Sequence, residues 1–431
     1  MRKNIFVLII LIVSLSSNGC AKLYEQENSA VNDHTYENGS GQESNRGEDE
    51  KEVHIIRADG EKNNGLIMAN NKFSWNIFKK INEEDLKKEV FISPLSISTM
   101  LTMALNGAGS TTKEEMEKAL NYEEMSLEEI NRGYAWLINR IQNIDPKVTI
   151  EMADSIWARD GFQILPDYIE RNRSFLSAEV CSLNFDLPEA ADTINNWISQ
   201  KTHNLIPKMI NSPIHPDVMM YLINAIYFKG EWTTAFKAKN TSEREFHALD
   251  GKTDMVSMMM RSGKIEYYKN NEYKAVSLPY GDENTAMVVI LPDQDINQFI
   301  DRMNNDKWEE LLDGLKPVQN LNLQLPKFKL EYGIKELKGA LSALGIREAF
   351  SDKADFTGIA ENLYINKILH KAVVDVNEEG TEAAAVTVGE ISTTSFTEPA
   401  AFIADRPFLF IITDRQEGNI LFMGKKIYGD R

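Results

Sequence analysis

In NNKFSWNIFKKI, residues Phe73, Ile77 and Ile81 stand four apart, the interval that places side chains on one face of an α-helix. A second helix starts in SPLSISTMLTMALNGAG, with Ser93 as N-cap, Pro94 at the first helical position and Gly107 past the end. Further along, the period shortens. VTIEMADSIWAR (148–159), MVVILPD (287–293) and LNLQLPKFKL (321–330) read as strands, as do FLFIIT (408–413) and ILFMGKK (420–426), which the turn DRQEGN (414–419) joins. Helices lead, strands dominate later and no internal repeat occurs, so the pattern predicts an α+β fold rather than a regularly alternating parallel sheet.

One stretch alternates without being hydrophobic. In EEGTEAAAVTVGEIST (378–393), Thr381, Ala383, Ala385, Thr387, Gly389 and Ile391 share one parity and are uncharged. Glu382, Ala384, Val386, Val388, Glu390 and Ser392 share the other parity. Successive side chains of an extended chain point to opposite faces. The pattern therefore suits a strand whose inner face admits only small uncharged groups. A flexible alanine-rich loop would not need such parity in its charges.

The chain has 431 residues, 42% of them hydrophobic, enough for one large domain or two ordinary ones. Its 65 acids against 47 bases give a formal charge of −18, which argues against nucleic acid as a partner. The N-terminus, MRKNIFVLIILIVSLSSNGC, carries Arg2 and Lys3, an apolar run from Ile5 to Leu15, and then small and polar residues ending at Cys20. That run is short for a membrane span and reads as an export signal over 1–19. The segment around Cys20 resembles the lipobox of bacterial lipoproteins, departing from it at Ser17, and the resemblance implies acylation of Cys20 and display at the cell surface or in the periplasm. Residues 20–64 are polar, acidic and poor in large aliphatics, so they read as a tether, with the folded domain over 65–431.

Catalytic motifs are missing from the sequence. It contains no G-x-S-x-G, H-E-x-x-H, paired C-x-x-C or P-loop. Of six histidines, His34 and His54 fall in the tether, leaving His203, His215, His247 and His370. The apolar neighbours of His370 in ILHKAVVDV predict a buried strand, where an imidazole needs hydrogen-bond partners from elsewhere. The chain is read as a non-enzyme with no cofactor and no metal.

Four stretches, in order, resemble the serpins, protease inhibitors that trap their targets by inserting a loop into a sheet. They are FISPLSISTMLTMALNGAGSTTKEEM (91–116), LINAIYFKGEW (222–232), LHKAVVDVNEEGTEAAAVT (369–387), and FIADRPFLFII with ILFMGK. The resemblance spans about Gly65 to Gly429. It implies helices packed around three β-sheets with an exposed reactive centre loop. It also implies a polar "shutter" of Ser93, Ser96, Asn224 and His370, and a "breach" where Trp232 and Glu378 meet the entering loop. The hinge then comprises Glu378, Gly380, Thr381, Glu382, Ala383, Ala384 and Ala385, with Thr381 the first inward residue to enter the sheet.

Counting from Glu378 with serpin spacing puts the bait bond between Thr394 and Ser395, whereas counting back from Pro407 puts it after Phe396. Thr394 suits elastase-like or subtilisin-like proteases, and Phe396 suits chymotrypsin-like ones. The implied function is that of a monomeric suicide substrate forming a covalent complex with a serine or papain-like cysteine protease. The membrane would be met only through the lipid anchor. The alternative is a non-inhibitory serpin serving as a surface binding or structural lipoprotein.

Overall fold

The computed structural model describes residues 60–381 and 400–429. Helix α1 (Asn64–Glu84) is capped by Asn63, whose side chain accepts the Leu66 N–H, and it turns Phe73, Ile77 and Ile81 into the core. Helix α2 (Pro94–Leu105) starts behind Ser93, whose hydroxyl accepts the Ser96 N–H at 3.2 Å, and all twelve of its residues are buried. Within so buried a helix the hydroxyls must be satisfied locally: Thr99 and Thr102 donate to the Leu95 and Ser98 carbonyls one turn back, each at 2.8 Å. Gly107 follows because a Cβ there would collide with Ile359.

The remaining helices are α3 (Ser110–Leu120), α4 (Leu127–Gln142), α5 (Pro166–Leu176), α6 (Ala190–Lys201), α7 (Ile296–Arg302), α8 (Asn305–Gly314) and α9 (Lys338–Ala343). The strands are β1 (Val90–Ile92), β2 (Val148–Arg159), β3 (Glu179–Leu183), β4 (Met220–Glu231), β5 (Ser242–His247), β6 (Thr253–Lys269), β7 (Tyr273–Tyr280), β8 (Thr285–Pro292) and β9 (Lys316–Pro326). They continue with β10 (Phe328–Glu331), β11 (Lys335–Glu336), β12 (Leu369–His370), β13 (Val373–Val376), β14 (Gly380–Thr381), β15 (Ala401–Ile403), β16 (Phe408–Asp414) and β17 (Ile420–Lys426).

Three sheets result among the described residues. A nine-stranded sheet runs β1-β17-β16-β8-β7-β6-β9-β15, with β5 added beside β6. A six-stranded sheet runs β10-β13-β14-β4-β2-β3, and β11 pairs with β12. The helix-and-strand mixture and the count of three sheets agree with the expected fold.

Two expected strands are each split. LNLQLPKFKL forms β9 and β10, which belong to different sheets, with Lys327 between them bonded through its N–H to the Ser257 carbonyl. LHKAVVDV forms β12 and β13, interrupted at Lys371 and Ala372.

Strand β4 lies between two cores. Its residues Ile226 and Phe228 join the main core with α1 and α2, while Ile223 and Ala225 join a smaller one with Trp157, Ile194 and Trp197 under α6. Both faces of β4 are therefore covered between Ile223 and Phe228.

Candidate functional site

At one end of the six-stranded sheet the chain reverses sharply after β13. The Asn377 N–H donates to the Gly380 carbonyl at 2.9 Å, and Thr381 pairs with Val376 on one side and Gly230 on the other. Gly380, at φ +151°, lies so close to β4 that a Cβ would collide with the Gly230 carbonyl oxygen. Trp232 brackets this turn. Its backbone N–H donates to the Glu379 carbonyl at 2.8 Å and its indole N–H to the Asn377 carbonyl at 3.0 Å. The ring stacks on Tyr280 with centroids 4.4 Å apart, and the Tyr280 hydroxyl lies 2.9 Å from the Thr381 hydroxyl.

The Glu378 carboxylate accepts from the Thr241 hydroxyl at 2.9 Å and the Lys327 ammonium at 3.0 Å. These donors hold its pKa below the usual range, although burial alone would raise it. The Glu378 carbonyl accepts the Phe236 N–H at 2.8 Å.

Thr381 is thus already inside the sheet, with 3% of its surface exposed. Thr381, expected as the first inward residue to enter the sheet, already stands there in the described structure. The physical reason is that the tight turn over 377–380, pinned by Trp232, leaves the next residue no path except between β13 and β4.

Nearer the middle of the sheet a polar chain crosses between layers. His370, on β12, accepts the Ser93 N–H at Nε2, 3.1 Å away. Burial pushes its pKa down to about 4, so the ring is neutral and free to accept at that nitrogen. The Ser93 hydroxyl donates to the Leu421 carbonyl at 2.8 Å and accepts from the Ser96 N–H. The Ser96 hydroxyl donates to the Asn224 side-chain oxygen. The Asn224 amide donates in turn to Asp154 at 2.8 Å. Asp154 is buried on β2 directly opposite Asn224, and desolvation pushes its pKa up to about 7 against the pull of that amide.

Below this chain the sheet parts. Only Gly230 and Glu231 of β4 pair with β14, and the ladder is not continued toward Met220 on that side among the described residues. A cavity of about 560 Å³ opens there, lined among others by Met100, Leu101 and Ala104 of α2, Met220 and Leu222 of β4, and Ile368. Among the described residues no group of three or more His, Cys, Asp or Glu side chains could hold a metal ion.

Residues 68–428 match the family model "Serpin (serine protease inhibitor)". The chain is a serpin. The bovine (Bos taurus) leukocyte elastase inhibitor is 36% identical over 375 residues, covering 84% of this chain and 98% of that protein. Iripin-2 of Ixodes ricinus is 34% identical, covering 84% of this chain and 92% of that one. Among solved structures, native tengpin, a thermophilic serpin, superposes with a TM-score of 0.78 at 31% identity, covering 86% of this chain and 96% of that one. Serpins are protease inhibitors, and the chain's function is protease inhibition.

In this serpin Ser93, Ser96, Asn224 and His370 come together as one network, and Trp232, Glu378, Gly380 and Thr381 as a second. Glu382, Ala383, Ala384, Ala385, Thr394, Ser395, Phe396 and Cys20 lie outside the described residues. Sequence reasoning missed Asp154, Tyr280 and Lys327. For Asp154 a signal exists, since it shares the parity of Val148, Ile150 and Met152, which are apolar and buried. Tyr280 and Lys327 sit at the ends of ordinary strand patterns, and nothing local marks them.

Proposed function

We propose that this serpin traps serine proteases by feeding its cleaved loop into the six-stranded sheet beside β4. The observation that carries the reading is the placement of Gly380 and Thr381 between β13 and β4, which starts the ladder an inserting strand would extend. Continuing both registers without a bulge puts Ala383 and Ala385 opposite Phe228 and Ile226, whose bulk explains why the entering residues are small. Thr387 then falls between Asn224 and His370, and Ile391 opposite Met220 at the cavity. Glu382 faces the other way, opposite Lys229. A charge at an inward position would instead be buried unpaired, which costs several kcal/mol.

The target's serine oxygen attacks the Thr394 carbonyl carbon. The Thr394–Ser395 bond breaks, and Ser395 departs as a protonated amino terminus, leaving an acyl ester between protease and loop. A papain-like cysteine would leave the thioester. Insertion then carries the ester along the sheet and deacylation stalls. No cofactor takes part, and the inhibitor acts as a monomer. Thr394 directs the loop toward elastase-like or subtilisin-like enzymes, a reading supported by the name leukocyte elastase inhibitor on several relatives. Export over 1–19, acylation at Cys20 and the tether over 20–64 would display the inhibitor on a bacterial surface or in the periplasm.

Incubation with an elastase-like or subtilisin-like protease is expected to give an SDS-resistant complex and a C-terminal fragment beginning at Ser395, read by mass spectrometry. A fragment beginning at Thr397 would move the bond to Phe396. Cleavage without any complex, across the panel, would refute trapping. Separately, Cys20→Ser should move the protein out of the membrane fraction, and a variant that stays there would show that Cys20 is not the anchor.

A further inference from the structure

An open cavity of about 380 Å³ lies beside β6, lined by Lys239, Ser242, Arg261, Ser262 and Asn322 with Asn240 and Met260. It sits where β6 runs unaccompanied on one edge among the described residues, because pairing with β5 ends at Met258 and pairing with β7 begins only at Glu266. On its other edge, Ser262 pairs directly with Asn322 of β9. None of the lining residues is acidic, in a chain whose formal charge is −18.

Arg261 is the anomaly in this cavity. Its Nη1 donates to the Thr234 carbonyl at 2.8 Å, and the guanidinium carbon lies 5.2 Å from the centroid of the Phe236 ring. Its Nε is shut off from solvent and has no acceptor among the described residues. Two other inward-reaching arginines are treated differently: Arg140 meets Asp414 at 2.7 Å and Arg415 meets Glu266 at 2.6 Å. With no described carboxylate against it, Arg261 is a half-buried cation whose counter-charge is missing among the described residues, a deficit that an incoming anion would relieve. Burial accordingly pulls its pKa down to about 10, with no acid nearby to restore it.

We propose that the cavity is a binding site for a small tetrahedral oxyanion, phosphate or sulfate, held between Arg261 and Lys239 with Ser242, Ser262 and Asn322 as neutral donors. Guanidinium and ammonium together match such an anion in charge, and the hydroxyls and amide can complete its hydrogen bonds. The cavity lies outside the turn between β13 and β14, and binding there would be independent of loop cleavage. It touches the hinge at one point, since Phe236, beneath the guanidinium, also holds the Glu378 carbonyl.

Isothermal titration of the full chain with sodium phosphate and sodium sulfate, at fixed pH and ionic strength, tests this directly. One saturable site is expected for both anions. Arg261→Gln should weaken it by about tenfold or more, the loss of one charge-assisted contact. Lys239→Gln, at an exposed position that cannot disturb the fold, should weaken it by a smaller factor. Absence of saturable binding in the parent chain, or unchanged affinity in both variants, would overturn the proposal. It would fall equally if binding appeared only after Glu382, Glu390 and Glu398 were all replaced by Gln, because the cavity would then be filled by the chain's own carboxylate.

Discussion

Alternation along β2 places Asp154 on the same side as Val148, Ile150 and Met152, so a carboxyl group faces a layer of apolar side chains. Its described donor is the Asn224 amide, which also accepts from Ser96, so the orientation of that amide depends on groups at both ends. The pKa rises from 3.8 to about 7 on folding, chiefly through desolvation. A raised folded-state pKa means that the native state holds its proton more tightly, so this contribution to stability is full below about pH 4 and is lost as pH rises through about 7. His370 acts in the opposite sense: lowered from 6.5 to about 4, it loses stability as pH falls through that window. Of these two groups, Asp154 is the one still titrating above about pH 6.5. Asp154→Asn, which keeps an acceptor for Asn224, should therefore raise the melting temperature at pH 8 and flatten its fall between pH 6 and 8. The gain at pH 8 should be on the order of 2–4 kcal/mol. Equal pH dependence in the parent and the variant, followed by thermal unfolding, would contradict this assignment.

The two-residue strand β14 is the element on which the proposed trapping depends. Gly380 is the residue that the close approach to Gly230 admits, and Thr381 is held by a backbone ladder on both sides and by the Tyr280 hydroxyl. Thr381→Arg would force a guanidinium beside Tyr280 in the intact molecule. The expected result is expulsion of β14 at a cost of several kcal/mol for any state that keeps it inserted. The variant should fold and be cut at the same bond, yet release active protease, so that many more inhibitor molecules are consumed per protease titrated. Loss of the Trp232–Tyr280 stack should register as a change in tryptophan fluorescence. Glu382→Arg, one residue on and of the opposite parity, should leave inhibition nearly unchanged. Equal effects from both substitutions would mean that the inward and outward faces have been assigned wrongly.

Among the described residues, the six-stranded sheet is closed at the hinge end and parted at the other, with the cavity of about 560 Å³ at its open end. A strand entering there would gain hydrogen bonds from two neighbours and fill apolar space on the α2 side, so the cut and inserted form should be the more stable one. Thermal unfolding after loop cleavage is expected to shift upward by more than about 10 °C, since each kcal/mol moves the midpoint of a domain this large by only a few degrees. A cleaved protein that melts with the intact one would show that the loop had not inserted. The same sheet explains why the shutter network and the hinge are separate clusters. The hinge decides whether a strand can start, while the chain from His370 to Asp154 lies where that strand must pass between β12 and β4.

Helices α1 and α2, strand β2, the final hairpin and the parity of the loop could all be read from the amino-acid order, because period, cap and turn depend on residues a few places apart. The resemblance that rests on those stretches named Ser93, Ser96, Asn224 and His370, which meet in one network, and Glu378, Gly380 and Thr381, which meet around Trp232. What neighbours in sequence could not convey is partnership across the fold. The Tyr280–Thr381 contact joins residues 101 apart and the Ser93–His370 bond residues 277 apart, and both exist only because the sheets stack as they do. The split of LNLQLPKFKL between two sheets, the insertion of Thr381 and the lack of a described counter-charge at Arg261 are likewise products of packing. Local pattern selects which face of an element is apolar, and the tertiary structure alone selects which other face it meets.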